Sequence, residues 1–292
     1  MSAAGKTISF RDREFKGSRL RCLLLTSREP DEVAAFLSAL VAPHASVSPG
    51  DQWAPRGFRE PDEAELGETA GFLSGEDRRT VTAWWLANPG RANTPNWDLV
   101  SRCRMGDRNG LILVEAKAHE GELGADRCGA TDQNNLESIE AALSQATKAW
   151  NELLAGFALS RDSHYQLSNR FAFAWKLADL GKPVVLVYLG FLNAPEMGSS
   201  SRLLLSDKQW QTCVLEKSAG LVPKEAWGRT FDVKGTPLTI LIRSAVVNIV
   251  AEVTGKLDVR EAAARPSDGS DLSDSSDRLS DETVDPILEE DS

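Results

Sequence analysis

The chain has 292 residues, 41% of them hydrophobic and eight of them tryptophan, enough apolar material for one large core or two modest ones. Its net charge of −10 is concentrated: residues 266–292 carry ten acidic residues against the single basic Arg278, so the remainder is close to neutral and neither announces nor excludes a nucleic-acid partner. Cys22, Cys103, Cys128 and Cys213 are scattered and form no CxxC pair, which argues against a zinc knuckle or a dense disulfide framework.

The first residues, MSAAGKTISFRDREFKG, lack an apolar leader, and no window approaches the roughly 18 apolar residues of a membrane span. A soluble, cytoplasmic protein with reduced thiols and no membrane partner is expected. Ser18–Thr26 reads as a strand, and Pro30–Val41 as a short amphipathic helix with acidic residues in its first turn. Residues 42–61 hold four prolines and no steady period and read as a surface connection.

Asp62–Asn88 predicts helix, broken near Gly71–Gly75, with Val81, Trp84 and Trp85 on the apolar face of its second piece. Trp97–Arg104 and Gly110–Ala118 predict the two strands of a hairpin, with Asn109-Gly110 as its turn signal. Leu136–Ala155 and His164–Leu180 follow as helices, then Pro183–Leu192 as a strand apolar on both faces, and so central. Pro237–Ser244 reads as a further strand and Val246–Val259 as a helix. From about Ala262 the composition turns to Ser, Asp, Glu and Gly, too polar to offset ordering entropy, and predicts a disordered acidic tail.

The chemistry lies in TPNWDLVSRCRMGDRNGLILVEAKAHEGEL, residues 94–123. Strand alternation places Leu111, Leu113, Glu115 and Lys117 on one face and Ile112, Val114, Ala116 and Ala118 on the other. Two charges on so apolar a strand need a surface end or a pocket with partners. A hairpin brings Asp98, at the start of the preceding strand, toward Glu115. Two convergent carboxylates repel unless a cation joins them, and hard oxygen ligands with open positions suit Mg²⁺ or Mn²⁺. Lys117 can then orient a water or stabilise charge on a phosphate.

Asp98 followed by Glu115-Ala116-Lys117 resembles the PD-(D/E)xK signature of the restriction-endonuclease-like nucleases, although Asn96 and Trp97 separate Pro95 from Asp98. The resemblance implies an α/β fold, with a central mixed sheet flanked by helices, over residues 60–261, after an N-terminal flank at 1–59 and before a tail at 262–292. It implies a Mg²⁺-dependent nuclease acting on DNA, with Asp98, Glu115 and the Ala116 carbonyl as metal ligands, and the three side chains meeting at one edge of the sheet. In many members an acidic residue of the first core helix, for which Glu65 or Glu68 is the candidate, and a Gln of a later helix, here Gln145, complete the site.

The alternative is a non-catalytic interaction or nucleic-acid-binding protein on the same fold. Gln166, Asn169, Arg170 and Lys176 fall on one face of the helix at 164–180, read as solvated, with Arg170 in reach of a phosphate. Trp84, Trp85, Trp150 and Trp175 read as core, and a homo-oligomer is not indicated. His119 reads as a surface residue at the strand end, and no Walker loop, nucleophile elbow, HExxH or GxGxxG stands in a supporting context.

Overall fold

A computed structural model describes residues 16–198, 202–251 and 257–262. In chain order the helices are α1 (Gly17–Thr26), α2 (Pro30–Val41), α3 (Gly75–Trp85), α4 (Gln133–Leu153), α5 (Tyr165–Asp179) and α6 (Asp207–Lys217). The strands are β1 (Trp53–Ala54), β2 (Ala64–Glu65), β3 (Asn96–Trp97), β4 (Leu99–Met105), β5 (Arg108–Lys117), β6 (Val184–Leu192), β7 (Thr230–Val233), β8 (Thr236–Ala251) and β9 (Leu257–Ala262).

The main sheet runs β1-β4-β5-β6-β8-β7, with β9 added to the far part of β8. β5, β6 and β8 are parallel, while β4 pairs antiparallel with β5 and β7 with β8. β6 is buried along its whole length, as its uninterrupted apolar run requires of a strand covered on both faces.

Alternation along β5 sorts the core into two layers. Leu111 and Leu113 face α3, α4, α5 and α6, packing with Trp85, Trp150, Phe171 and Trp210. Ile112, Val114 and Ala116 face α1 and α2, packing with Leu25, Leu37 and Val41. The sheet is thus sandwiched between helical layers, a mixed α/β architecture. Among the described residues, no helix is long and apolar enough to cross a membrane.

Several expected elements differ from those observed. Residues 18–26 form α1, not a strand: Arg19 and Arg21 alternating with Leu20 and Cys22 mimic a period of two, but a short apolar run does not separate buried helix from strand. Arg21 is fully buried and satisfied by the Gly17 and Val247 carbonyls and by Glu196. The first part of 62–88 is not helical, because Ala64 and Glu65 pair with Trp97 and Asn96, and tertiary pairing overrides a modest helix propensity.

The β4–β5 turn is Gly106-Asp107, with Met105 opposite Arg108. Asn109 and Gly110 lie inside β5, where a Cβ on Gly110 would stand 2.8 Å from the Pro183 carbonyl oxygen. The glycine serves close strand approach and not the turn. Val246–Val259 is not a helix: β8 continues to Ala251 and β9 returns, in keeping with the β-branched Val246, Val247 and Ile249. Helix α6 and strand β7 arise where the sequence suggests no element. The acidic tail lies outside the described residues.

Trp150 is the centre of the larger core, stacked on Phe157 at 4.7 Å, edge-on to Phe171 and Phe231, and donating from Nε1 to the Phe171 carbonyl at 3.1 Å. Trp150→Ala is expected to cost about 3–5 kcal/mol, read as a lower urea midpoint with an unchanged slope; a loss below about 1 kcal/mol would show that the cavity collapses freely.

Candidate active site

The site forms where β4 stops and β5 continues. The β4–β5 ladder ends at Leu99 opposite Val114, whereas β5 stays paired to β6 as far as Lys117 opposite Gly190. On the vacated side Asp98 takes over from the ladder: its Oδ2 accepts the Ala116 N–H at 2.8 Å. A strand residue that hydrogen-bonds a neighbour directs its N–H and C=O to the same side, so the Ala116 carbonyl faces this position too. Asp98 therefore sits against the backbone between Glu115 and Lys117, where β5 runs past the end of its β4 partner.

Glu115 and Lys117 are 1% and 6% exposed, which rules out a solvent-facing surface pair. Lys117 binds Glu115 and donates to Gln166 Oε1 at 2.9 Å. Arg170 donates from Nε to Glu115 Oε2 at 2.5 Å, from Nη1 to Asn169 Oδ1 at 2.8 Å and from Nη2 to the Asn96 carbonyl at 2.6 Å. Its guanidinium lies 4.5 Å over the Trp97 ring. Tyr188 is the neighbour of Glu115 on β6, and its buried hydroxyl has no hydrogen-bond partner among the described residues.

Burial alone would raise the Glu115 carboxyl, but Arg170 and Lys117 outweigh it and hold the group below its ordinary range. For Lys117, burial is outweighed by Glu115 and Asp98, and the ammonium is held above its ordinary value. Asp98 behaves oppositely: burial, then the Glu115 charge, push its carboxyl up from 3.8 to about 8.

The folded protein accordingly keeps a proton that the unfolded chain releases between pH 4 and pH 8. In EDTA its stability should fall as pH rises through that window, by at most about 1.4 kcal/mol per pH unit. Asp98→Asn should flatten that part of the profile in urea titrations at several pH values. Parallel profiles for the two proteins would refute the assignment of this proton to Asp98.

Above these residues lies a cleft of about 730 Å³, lined by Glu63, Asn96, Asp98, Tyr165, Asn169 and Arg170 among others. Sequence reasoning placed the additional acidic group at Glu65 or Glu68. Both assignments fail: Glu65, on β2, accepts a hydrogen bond from Asn93, Glu68 is exposed, and neither lines the cleft. Glu63 does, ion-paired to Arg19 at 3.3 Å, because the β2–β3 pairing carries it beside Asp98.

Gln145 is also misassigned. It is exposed on α4 and accepts from Trp84 Nε1 at 2.7 Å, while the glutamine that reaches the site is Gln166 of α5. Nor is the polar face of α5 solvated: Asn169 and Arg170 are both 4% exposed and turn toward β5, and Arg170 holds a carboxylate in place of a phosphate. The sequence signal for this was the i, i+4 spacing of Gln166 and Arg170, which puts both on the helix face that meets Glu115 and Lys117. Nothing in the sequence distinguished Glu63.

Among the described residues no group of three or more His, Cys, Asp or Glu side chains is arranged to hold a metal. The donor set nevertheless fits a magnesium-like ion, which binds through one or two carboxylates and keeps several waters. Asp98 and Glu115 are hard oxygen donors, and burial together with the Glu115 charge, the two causes that raise Asp98, are what a cation there would offset. Comparison with known protein families, curated proteins and solved structures finds no match to this chain.

Proposed function

We propose that the chain is a metal-dependent nuclease of the PD-(D/E)xK, restriction-endonuclease-like type, hydrolysing phosphodiester bonds in nucleic acid, with DNA as the substrate its resemblance implies. The observation that carries this reading is the meeting of Asp98, Glu115 and Lys117 under one cleft, with Asp98 bonded to the backbone of the intervening Ala116. A bound Mg²⁺, or Mn²⁺ in its place, would supply Lewis-acid stabilisation of the phosphate and an acidified water. Asp98 and Glu115 would hold it, with the Ala116 carbonyl alongside.

Lys117 keeps its charge through Glu115 and is held in place by Gln166, so it can offset the negative charge that develops as water attacks the phosphorus. Asn96 and Asn169 provide amide groups on the cleft wall for the strand being cut. Incubation with linear, circular and single-stranded DNA in Mg²⁺ or Mn²⁺ should give cleavage that EDTA abolishes. Intact DNA in all three forms would remove the reading.

A second reading, a non-catalytic binding protein on the same fold, is favoured by one feature: both Glu115 oxygens already have cationic partners in Lys117 and Arg170. Mn²⁺ binding separates the two. The nuclease requires it; the binding protein does not.

A further inference from the structure

We infer that Arg170 is an exchangeable counter-ion, which yields Glu115 to a divalent cation and turns its freed N–H to a phosphate in the cleft. This rests on the metal-site reading above. Asp98 and Arg170 line the cleft, whereas Glu115 and Lys117 lie behind them and do not. A cation beside Asp98 therefore meets the Arg170 guanidinium before it meets Glu115. Each carboxylate oxygen already carries a cationic donor, Lys117 on one and Arg170 on the other, so a dication approaching either oxygen is repelled by the charge held there, and loosening one of these bonds relieves that repulsion.

Arg170 is the partner built to give way. Three of its contacts, to the Asn96 carbonyl, Asn169 and the Trp97 face, do not involve Glu115 and can keep the side chain at the cleft wall while the guanidinium pivots over the Trp97 ring and the Nε bond opens. Among the described residues, the hydrogen bonds of Lys117 go to Glu115 and Gln166. Charge balance gives the exchange a direction. Without metal, the two cations Lys117 and Arg170 already face the two carboxyl groups of Glu115 and Asp98. Adding a dication leaves the pocket positive, and an anion entering the cleft restores the balance. A backbone phosphate is such an anion, and a guanidinium with an open N–H suits it. Cation and phosphate then reinforce each other's binding.

The test uses the full chain and two readouts other than cleavage. Mn²⁺ is titrated calorimetrically into wild type, Asp98→Asn, Arg170→Gln and Arg170→Lys. Mg²⁺ is titrated while tryptophan fluorescence is followed in wild type and Trp97→Phe. Arg170→Gln should bind Mn²⁺ about tenfold more tightly than wild type, the effect of removing one competing charge. Arg170→Lys should stay near wild type, and Asp98→Asn should lose binding. Mg²⁺ should shift a fluorescence component that Trp97→Phe lacks, because the guanidinium moves against that ring. The wild-type fluorescence arm decides the question even if Arg170→Gln fails to fold. Should Mn²⁺ bind wild type while the Trp97 component stays still and Arg170→Gln binds no more tightly, the exchange is overturned and the metal site stands. No Mn²⁺ binding by wild type overturns the metal site and the exchange with it.

Discussion

Lys117→Ala is expected to lose at least about 10²–10³-fold in turnover while still binding Mn²⁺, and Asp98→Asn to lose turnover and metal together. The two residues touch the same carboxylate neighbourhood from different sides. On the proposed reading Asp98 would offer oxygen to a cation, whereas Lys117 would offer positive charge, kept by Glu115 and held in place by Gln166. If the reading holds, removing a ligand would deprive the site of its Lewis acid, whereas removing the ammonium would leave the metal but withdraw charge stabilisation needed mainly in the transition state. The check is single-turnover cleavage of a labelled duplex beside Mn²⁺ calorimetry on the same preparations. Undiminished cleavage by both variants would trace the activity to a contaminant and defeat the assignment.

Glu115→Gln should be the most damaging single change to stability at the site, at about 3–5 kcal/mol. Its carboxylate is the shared counter-charge of two buried cations, and the amide would leave Lys117 and Arg170 facing each other with no anion between them. Adding Arg170→Gln should recover part of that loss, because it removes one of the uncompensated charges. Urea unfolding of the two single variants and the double gives the coupling directly. Strict additivity would mean that the pair is solvated well enough to make no difference, and the site would have to be far wetter than the 1% exposure of Glu115 indicates.

How much of this could be read in the sequence depended on the range of the interaction concerned. The strand pattern of Leu111–Lys117 was legible, since side-chain alternation is a property of the backbone and needs no partner. It placed Glu115 and Lys117 on one face with Leu111 and Leu113, and the fold puts them there. Helices α2, α4 and α5 and the buried strand β6 were legible for the same reason, as local periods and uninterrupted apolar length.

The helical character of residues 18–26 was not, because a buried ten-residue helix and a buried strand bury the same side chains. Nor was the choice of Glu63 over Glu65 and Glu68, which rests on two short strands, Ala64–Glu65 and Asn96–Trp97, finding each other across the chain. The rotation of α5, which turns Gln166, Asn169 and Arg170 inward and so makes the site, is fixed by what its opposite face buries, with Phe171 and Trp150 in contact beneath it. The sequence by itself determined that a carboxylate and an ammonium would share one face of an apolar strand and need partners. Only the tertiary structure decided which partners they have, because that choice is made by surfaces distant in sequence that are buried together.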